Sequence, residues 1–328
     1  MFDINTIDNI SVGVLGDLAL DIYWYADMKK SELSRETPHF PLPVVRERMS
    51  PGAGGNVAVN AARLTPGKLF VSGVIGDDWR GDILKKQLRR LGCDMTGVIE
   101  EKNRFTCTYA KPIRMGISNV MYEDPRLDFS PDIPIAKETE DALVSWLKDV
   151  DGKIDILLVC DQFDFGVVTD RVLARLAAMK TPIIADSRKR IADFKINGVL
   201  KPNEDELRNA LLGMNLSLPE DLSDRAMLLS KKTGAKVLMT IGEKGSIFAS
   251  FADLERFHTP AFPVKGEIDI CGAGDASLAA FACALAAGAG EREAARLAAA
   301  ASAVAVKKIG ETGSASREEI LAVMNAVA

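Results

Sequence analysis

Asp269-Ile270-Cys271-Gly272-Ala273-Gly274-Asp275 runs directly into the apolar stretch 276–282. Small residues at Gly272, Ala273 and Gly274 let backbone N–H groups approach a ligand, and the apolar run predicts a buried helix whose positive N-terminal end faces that ligand. Asp275 would then stand where phosphate charge gathers. Its carboxylate could take a proton from an attacking hydroxyl while the N–H groups of residues 272–275 meet charge developing on a transferred phosphoryl group. The same four residues also describe a tight turn in which Asp275 caps a helix beginning at 276. Partners elsewhere in the chain must decide between the two.

Four segments have the residue types to be such partners. Gly13-Val14-Leu15-Gly16-Asp17 closes an apolar run and Asp21 follows. Ligands bind at the C-terminal ends of strands in open α/β sheets, so a carboxylate here could accept hydrogen bonds from sugar hydroxyls, or Asp17 could cap a turn. Pro51-Gly52-Ala53-Gly54-Gly55-Asn56 is a small-residue loop opening a helix, suited to a ligand or to a hinge. Lys201-Pro202-Asn203-Glu204-Asp205-Glu206 puts Asn203 and Glu206 one helical turn apart, which suits a hydrated Mg²⁺ or, equally, a reciprocal N-cap pair. Thr240-Ile241-Gly242-Glu243-Lys244-Gly245 could carry the ribose and phosphates of a nucleotide across Gly242 and Gly245, or form a plain hairpin. Neither a G-x-G-x-x-G following a strand nor a G-x-x-x-x-G-K-[ST] occurs, which argues against Rossmann dinucleotide binding and a P-loop.

Short continuous apolar runs at 12–15, 69–75, 154–160, 182–185, 199–200 and 237–241 predict strands buried on both faces. Helical patterns at about 55–64, 80–91, 138–148, 168–179, 204–213 and 221–233 alternate with them. Repeated β-then-α units imply an α/β fold with a mostly parallel sheet flanked by helices, read as one domain over 1–328. Two regions break the alternation, about 22–50 and 104–128, where β-favouring residues predict strands outside the main sheet that pack together as a lid. An ordinary edge hairpin is the alternative. From about 276 to 328 the chain reads as nearly all helical, its Ala runs indicating close helix packing.

A chain of 328 residues with 47% hydrophobic and 27% charged residues is that of a globular protein. A net charge of −5 offers no general basic surface for nucleic acid or an anionic membrane. Five scattered Cys without a CxxC pair and only two His argue against zinc and a disulfide framework. The acidic N-terminus lacks a basic-then-apolar signal pattern and the Ala-rich runs are too short to span a bilayer, so a reducing cytoplasm is the expected location.

In their order along residues 11–320, these motifs resemble the ribokinase, or PfkB, family of carbohydrate kinases. The resemblance implies a ribokinase-like fold, ATP and Mg²⁺, and Asp275 as the base that deprotonates a sugar hydroxyl. It places the transferring phosphoryl group on the N–H groups of Gly272, Ala273, Gly274 and Asp275. The sugar would be held by Asp17, Asp21, Gly52 and Asn56, with Arg126 and Asp161 at the acceptor site. Asn203 and Glu206 would order Mg²⁺, and Thr240, Gly242 and Gly245 would line the ATP site. Asp269 matches a position that helps bind a monovalent cation such as K⁺, with carbonyls near Ala305 and Gly310 and the Ser314 side chain. A homodimer through the lid strands is common among relatives and is an expectation here.

Within the family, Asp21-Ile22-Tyr23-Trp24-Tyr25, Pro43-Val44-Val45 and Arg126-Leu127-Asp128-Phe129 look most like the heptose 7-phosphate kinases of ADP-heptose synthesis. That branch usually has a second Gly where this chain has Ala53, Thr at Cys271 and Ala276, and Pro at Ser187. It also tends to carry Asp-Tyr-x-Lys-Gly where Asp161-Gln162-Phe163-Asp164-Phe165-Gly166 stands, so a cation suited to a substrate phosphate is missing from that segment. No nucleotide-transferring half follows residue 328, so a kinase acting alone is expected. A nucleoside kinase of the same fold and a catalytically weak sugar- or nucleotide-binding regulator are the competing readings.

Overall fold

The computed structural model of the chain describes residues 3–65, 67–118 and 120–326. Position 119, inside the second predicted lid segment, and the terminal residues lie outside the described residues. Along the chain run β1 (Val12–Gly16), β2 (Leu18–Asp27), β3 (Val44–Ala53), α1 (Gly54–Leu64), β4 (Leu69–Gly76), α2 (Trp79–Arg90) and β5 (Asp94–Glu101). Next come β6 (Cys107–Met115), β7 (Tyr122–Glu123), β8 (Leu127–Phe129), α3 (Lys137–Val150), β9 (Ile156–Asp161), α4 (Asp170–Ala177), β10 (Ile183–Ser187) and β11 (Gly198–Leu200). The last part holds α5 (Glu204–Gly213), α6 (Leu222–Thr233), β12 (Lys236–Thr240), β13 (Ser246–Ser250), β14 (Glu255–Thr259), α7 (Ala273–Ala286), α8 (Glu291–Ala305) and α9 (Arg317–Asn325).

Nine strands form one sheet in the order β14-β13-β12-β11-β10-β9-β1-β4-β5. It is parallel from β12 to β5, and β13 and β14 extend it antiparallel. The apolar runs are continuous because each central strand feeds two cores. Ile156, Leu158 and Cys160 face the cluster built with α1, α7 and α8, while Leu157 and Val159 face the one built with α3, α4, α5 and α6. Period-2 geometry requires that division, and a strand polar on one face would leave one helix layer without a surface to cover. The structure is a ribokinase-like α/β fold with a mostly parallel sheet between helical layers.

β2, β3, β6, β7 and β8 form a second sheet, in which β2 pairs antiparallel with β3 and parallel with β6. It is tied to the first at both ends: only Asp17 separates β1 from β2, and β3 passes directly into α1. At that junction Ala53 has φ 47°, a left-handed backbone that glycine adopts more readily. The expectation of a nearly all-helical C-terminal third is corrected by residues 306–316, which contain no helix and form a wall of the site. They carry Gly310 and Gly313 and few apolar side chains, so helical periodicity stops there. Among the described residues no helix is long and apolar enough to cross a membrane.

Candidate active site

The parallel strands all end at one edge of the sheet, and each brings a polar residue there. Asp17 follows β1, Asp161 ends β9, Asp186 and Ser187 end β10, Lys201 follows β11 and Thr240 ends β12. From β1 the sheet grows one way through β4 and β5, and from β9 the other way through β10, β11 and β12. The crevice at such a switch point is where open α/β sheets take ligands.

α7 begins at Ala273 with Gly272 as its N-cap, at φ 83°. Asp275 therefore lies inside the first turn and caps nothing, which removes the capped-turn alternative. A Cβ on Gly272 would stand 2.5 Å from the Gly313 carbonyl oxygen and 2.6 Å from its nitrogen, so both the conformation and the space require glycine. The Ala273 N–H donates to the Ile270 carbonyl at 3.2 Å. Of the N–H groups expected to meet a phosphoryl group, that one is engaged, whereas Gly274 and Asp275, as first-turn residues, have no intrahelical acceptor.

Asn56, buried in the first turn of α1, donates from Nδ2 to Asp275 Oδ2 at 2.7 Å and to the Gly313 carbonyl at 3.3 Å. Burial pushes the Asp275 carboxyl up to about 7; the Asn56 hydrogen bond opposes this, while the nearby Asp186 carboxylate adds to it and Lys201 subtracts. Lys201 is buried and pairs with Asp186 at 2.7 Å. Its Nζ stands 3.9 Å from where a Cβ on Gly274 would be, beside the start of α7. Burial alone would depress the Lys201 ammonium, but Asp186, with Glu206 and Asp275 beyond it, holds it above its usual range. A permanent cation thus sits beside the free N–H groups.

Asp17, expected to contact a sugar, is engaged by the backbone of this chain. Its carboxylate accepts from the N–H groups of Gln162 (2.7 Å), Phe163 (2.8 Å) and Val167 (2.8 Å), and it is buried. A Cβ on Gly166 would lie 2.3 Å from its Oδ1. Both oxygens accept from the 162–167 loop, which Arg104 also holds through the Phe165 carbonyl at 2.5 Å. Asp161 accepts from the Ser187 hydroxyl at 2.6 Å, and burial, reinforced by Asp17 and Asp186, raises its carboxyl to about 7.

Asp21, on β2, faces the crevice from the second sheet. Its Oδ2 accepts from the Thr312 hydroxyl, and a Cβ on Gly52 would lie 2.4 Å from its Oδ1, so Gly52 is what leaves room for it. Tyr23 contacts the same hydroxyl at 3.2 Å, and Lys111 Nζ reaches the Tyr23 oxygen at 3.3 Å and Cys271 Sγ at 3.6 Å. Lys111 is buried, and among the described residues it has no carboxylate within ion-pair distance. Arg126, by contrast, is committed to Asp128 through two hydrogen bonds of 2.5 and 2.7 Å and lies over the Tyr109 ring.

Asn203 and Glu206 form the reciprocal cap of α5: each side chain meets the other's backbone N–H, both at 2.8 Å. This leaves one Glu206 oxygen for another partner. Burial and then Asp186 push the Glu206 carboxyl upward, so two acids compete for space that a divalent cation would neutralise. The capping box and a metal role are compatible here. No cluster of three or more His, Cys, Asp or Glu side chains poised for a metal occurs among the described residues.

Thr240 bridges to Asn203, and its N–H donates to the Pro202 carbonyl at 2.9 Å. The following turn does join antiparallel β12 and β13, with Gly242 at φ 60° and Gly245 at φ 100°. Gly245 packs against the Thr259 carbonyl, whereas a Cβ at Gly242 would meet nothing within 4 Å, so one side of the hairpin is open. Asp269 accepts from the N–H groups of Cys271 (2.9 Å) and Gly310 (3.1 Å).

Sequence reasoning missed four residues that the fold brings to the crevice: Lys111, Asp186, Lys201 and Thr312. Lys201 carried a signal, a lysine at the end of a buried run and directly before the Pro-Asn helix start. Lys111 and Thr312 had none, because each is brought in by an element distant in sequence.

Residues 180–318 match the profile of the pfkB family carbohydrate kinases. The chain is 31% identical over 330 residues to the bifunctional protein HldE of Bradyrhizobium sp. strain ORS 278, covering 97% of this chain and 65% of that protein. It is 32% identical over 319 residues to HldE of Geobacter sulfurreducens, covering 95% and 62%. The chain thus spans less than two thirds of the length of these curated relatives. Among solved structures it is similar to ribokinase from Thermotoga maritima, with TM-score 0.70 at 23% identity over 96% of this chain and 99% of that one. It is also similar to phosphofructokinase-2 from Escherichia coli in complex with substrates and products, with TM-score 0.76 at 20% identity over 97% and 99%.

Proposed function

We propose that this chain, which carries a pfkB family carbohydrate kinase domain at residues 180–318, transfers the γ-phosphoryl group of ATP to a hydroxyl of a sugar phosphate. The observation that carries the reading is Asp275, a carboxylate tuned to about 7 and held by Asn56 in the first turn of a buried helix, with Lys201 beside it. A base works best when its proton affinity matches the operating pH, and an anion hole works best when its donors are already in place.

Asp21 and Asn56 orient the acceptor, and Asp275 takes the proton from its attacking oxygen. The N–H groups of Gly274 and Asp275, with the Lys201 ammonium, meet the charge on the transferring group. ATP lies along Asn203, Thr240 and the open side of Gly242. A divalent cation held through Glu206 and Asp186 would supply charge neutralisation to the phosphates. The second sheet serves as a lid that excludes water from the crevice.

Lys111 supports an anionic acceptor. A buried ammonium favours the arrival of an anion; among the described residues its hydrogen-bond partners are Tyr23 and Cys271, while the Asp21 and Glu123 carboxylates act on it from beyond ion-pair distance. It offers from the lid the phosphate-binding cation that residues 161–166 lack. Resemblance to heptose 7-phosphate kinases makes heptose 7-phosphate the first acceptor to try. The test is ADP release with Mg²⁺-ATP across sugar phosphates, unphosphorylated sugars and adenosine. Turnover restricted to phosphorylated sugars supports the reading, and release with adenosine alone would replace it by a nucleoside kinase.

The outer lid also exposes Val44, Val45, Ile117, Val120 and Leu127. Apolar side chains on a small sheet favour a homodimer that covers them.

A further inference from the structure

We propose that the loop following α8 is pinned by this chain's own cations, Lys308 and Arg63, and takes no monovalent metal ion. The family resemblance assigns such an ion to the Asp269 carboxylate, carbonyls near Ala305 and Gly310, and the Ser314 hydroxyl. The donor set present here does not fit it. Ser314 is buried between two positive side chains: its hydroxyl accepts from Arg63 Nη1 at 2.6 Å, and its carbonyl accepts from Lys308 Nζ. A third cation at Ser314 would stand directly beside both charges.

Each remaining oxygen also accepts a hydrogen bond from this chain, which narrows the directions left open to an ion. Asp269 receives the Cys271 and Gly310 N–H groups on its separate oxygens, and the Gly310 carbonyl receives the Tyr25 hydroxyl at 3.3 Å. The Ala305 carbonyl receives the Lys308 N–H at 3.0 Å, and the Cys271 carbonyl receives that of Gly313 at 3.0 Å. A Cβ on Gly313 would lie 2.6 Å from the Ala305 oxygen, so the Gly313 backbone fills the space beside that carbonyl.

The two cations do the mechanical work an ion would otherwise do. Lys308 also pairs with Glu319 on α9 at 2.9 Å, and Arg63 extends from the end of α1. Between them they fix residues 308–314, and hence Gly313, against Gly272 and Asn56 at the start of α7. The inference goes beyond the kinase reading and does not depend on it.

Thermal unfolding of the full chain in KCl, NaCl and choline chloride at equal ionic strength tests it without reference to turnover. The expected result is one midpoint in all three salts. An ion bound at a hundredfold its Kd would raise the midpoint by roughly 3–5 °C, and a K⁺-selective rise of that size would overturn the proposal. Lys308→Met should unfold earlier in every salt, while Lys308→Arg should stay close to the parent. A Lys308→Met midpoint equal to the parent's would show that Lys308 does not pin the loop and would also overturn it. If Lys308→Met does not fold, the salt comparison on the parent chain still decides.

Discussion

Replacing Asp275 by Asn separates the chemistry of this carboxylate from its cost to the fold. The Asn oxygen can still accept from Asn56, so the start of α7 should keep its geometry. Loss of a general base costs typically 10²–10⁴-fold in turnover, and that is the expected fall for Asp275→Asn with ATP binding retained. Stability should move the other way. The rise of the Asp275 carboxyl from 3.8 to about 7, at about 1.4 kcal/mol for each tenfold change in proton affinity, sets a ceiling of about 4 kcal/mol on the cost of ionising it in the folded chain. Asp275 keeps partial solvent exposure and neighbouring charges share the effect, so about 1–2 kcal/mol is the expected part.

The pH window follows from the direction of the rise. Below pH 4 the carboxyl is protonated folded and unfolded, and the two proteins should be equally stable. Between about 4 and 7 the unfolded chain loses its proton first, so the parent loses stability relative to Asp275→Asn; above 7 the gap is constant. Calorimetry at pH 4 and pH 8 should therefore show a midpoint advantage for Asp275→Asn of roughly 1–3 °C at pH 8 only. For the parent, kcat/KM should rise through an apparent pKa near 7. Turnover of Asp275→Asn within tenfold of the parent would refute the base assignment. An advantage at pH 4 as large as at pH 8 would refute the burial argument.

Glu206→Gln keeps an oxygen for the Asn203 N–H, so the midpoint should hold while the Mg²⁺ needed for half-maximal turnover rises about tenfold; an unchanged Mg²⁺ titration would leave Glu206 a cap and nothing more. Lys111→Met should raise KM for a phosphorylated acceptor by about 10–100-fold, the scale of a lost charge-assisted contact, and leave KM for ATP alone; equal effects on both would point to a folding role. Ala53→Gly should stabilise the chain by about 1 kcal/mol by relieving the left-handed backbone at φ 47°, measured by urea unfolding; destabilisation would show that the alanine methyl packs favourably. Light scattering should give a dimer, and Val45→Glu with Leu127→Glu should give a monomer; a monomeric parent would remove the lid interface.

The layered sheet was legible because strands buried on both faces must be apolar throughout, and those at 12–15, 69–75 and 154–160 announced themselves that way. β5, at Asp94–Glu101, did not, since it closes the parallel edge with an alternating, partly exposed pattern. β13 and β14 were passed over because the hairpin at Gly242–Gly245 could be read with or without a second strand.

The site divides along the same line. What is local in sequence could be read locally: the Gly-Ala-Gly helix start of α7 and the Asn203–Glu206 pair are set by residues that neighbour one another along the chain. Ionic and steric partnerships across the chain could not be. That Asp17 organises the loop at 162–167 became visible only in the fold. Lys111 became conspicuous only once β6 lay beside β2 and left its ammonium facing Cys271. The sequence alone determined which residues could do phosphoryl chemistry, because backbone freedom and helix polarity are properties of neighbours. Tertiary structure alone decided which carboxylates stay available, which proton affinities rise and which cations stand in for an ion, because burial and Coulomb interaction depend on distance in space.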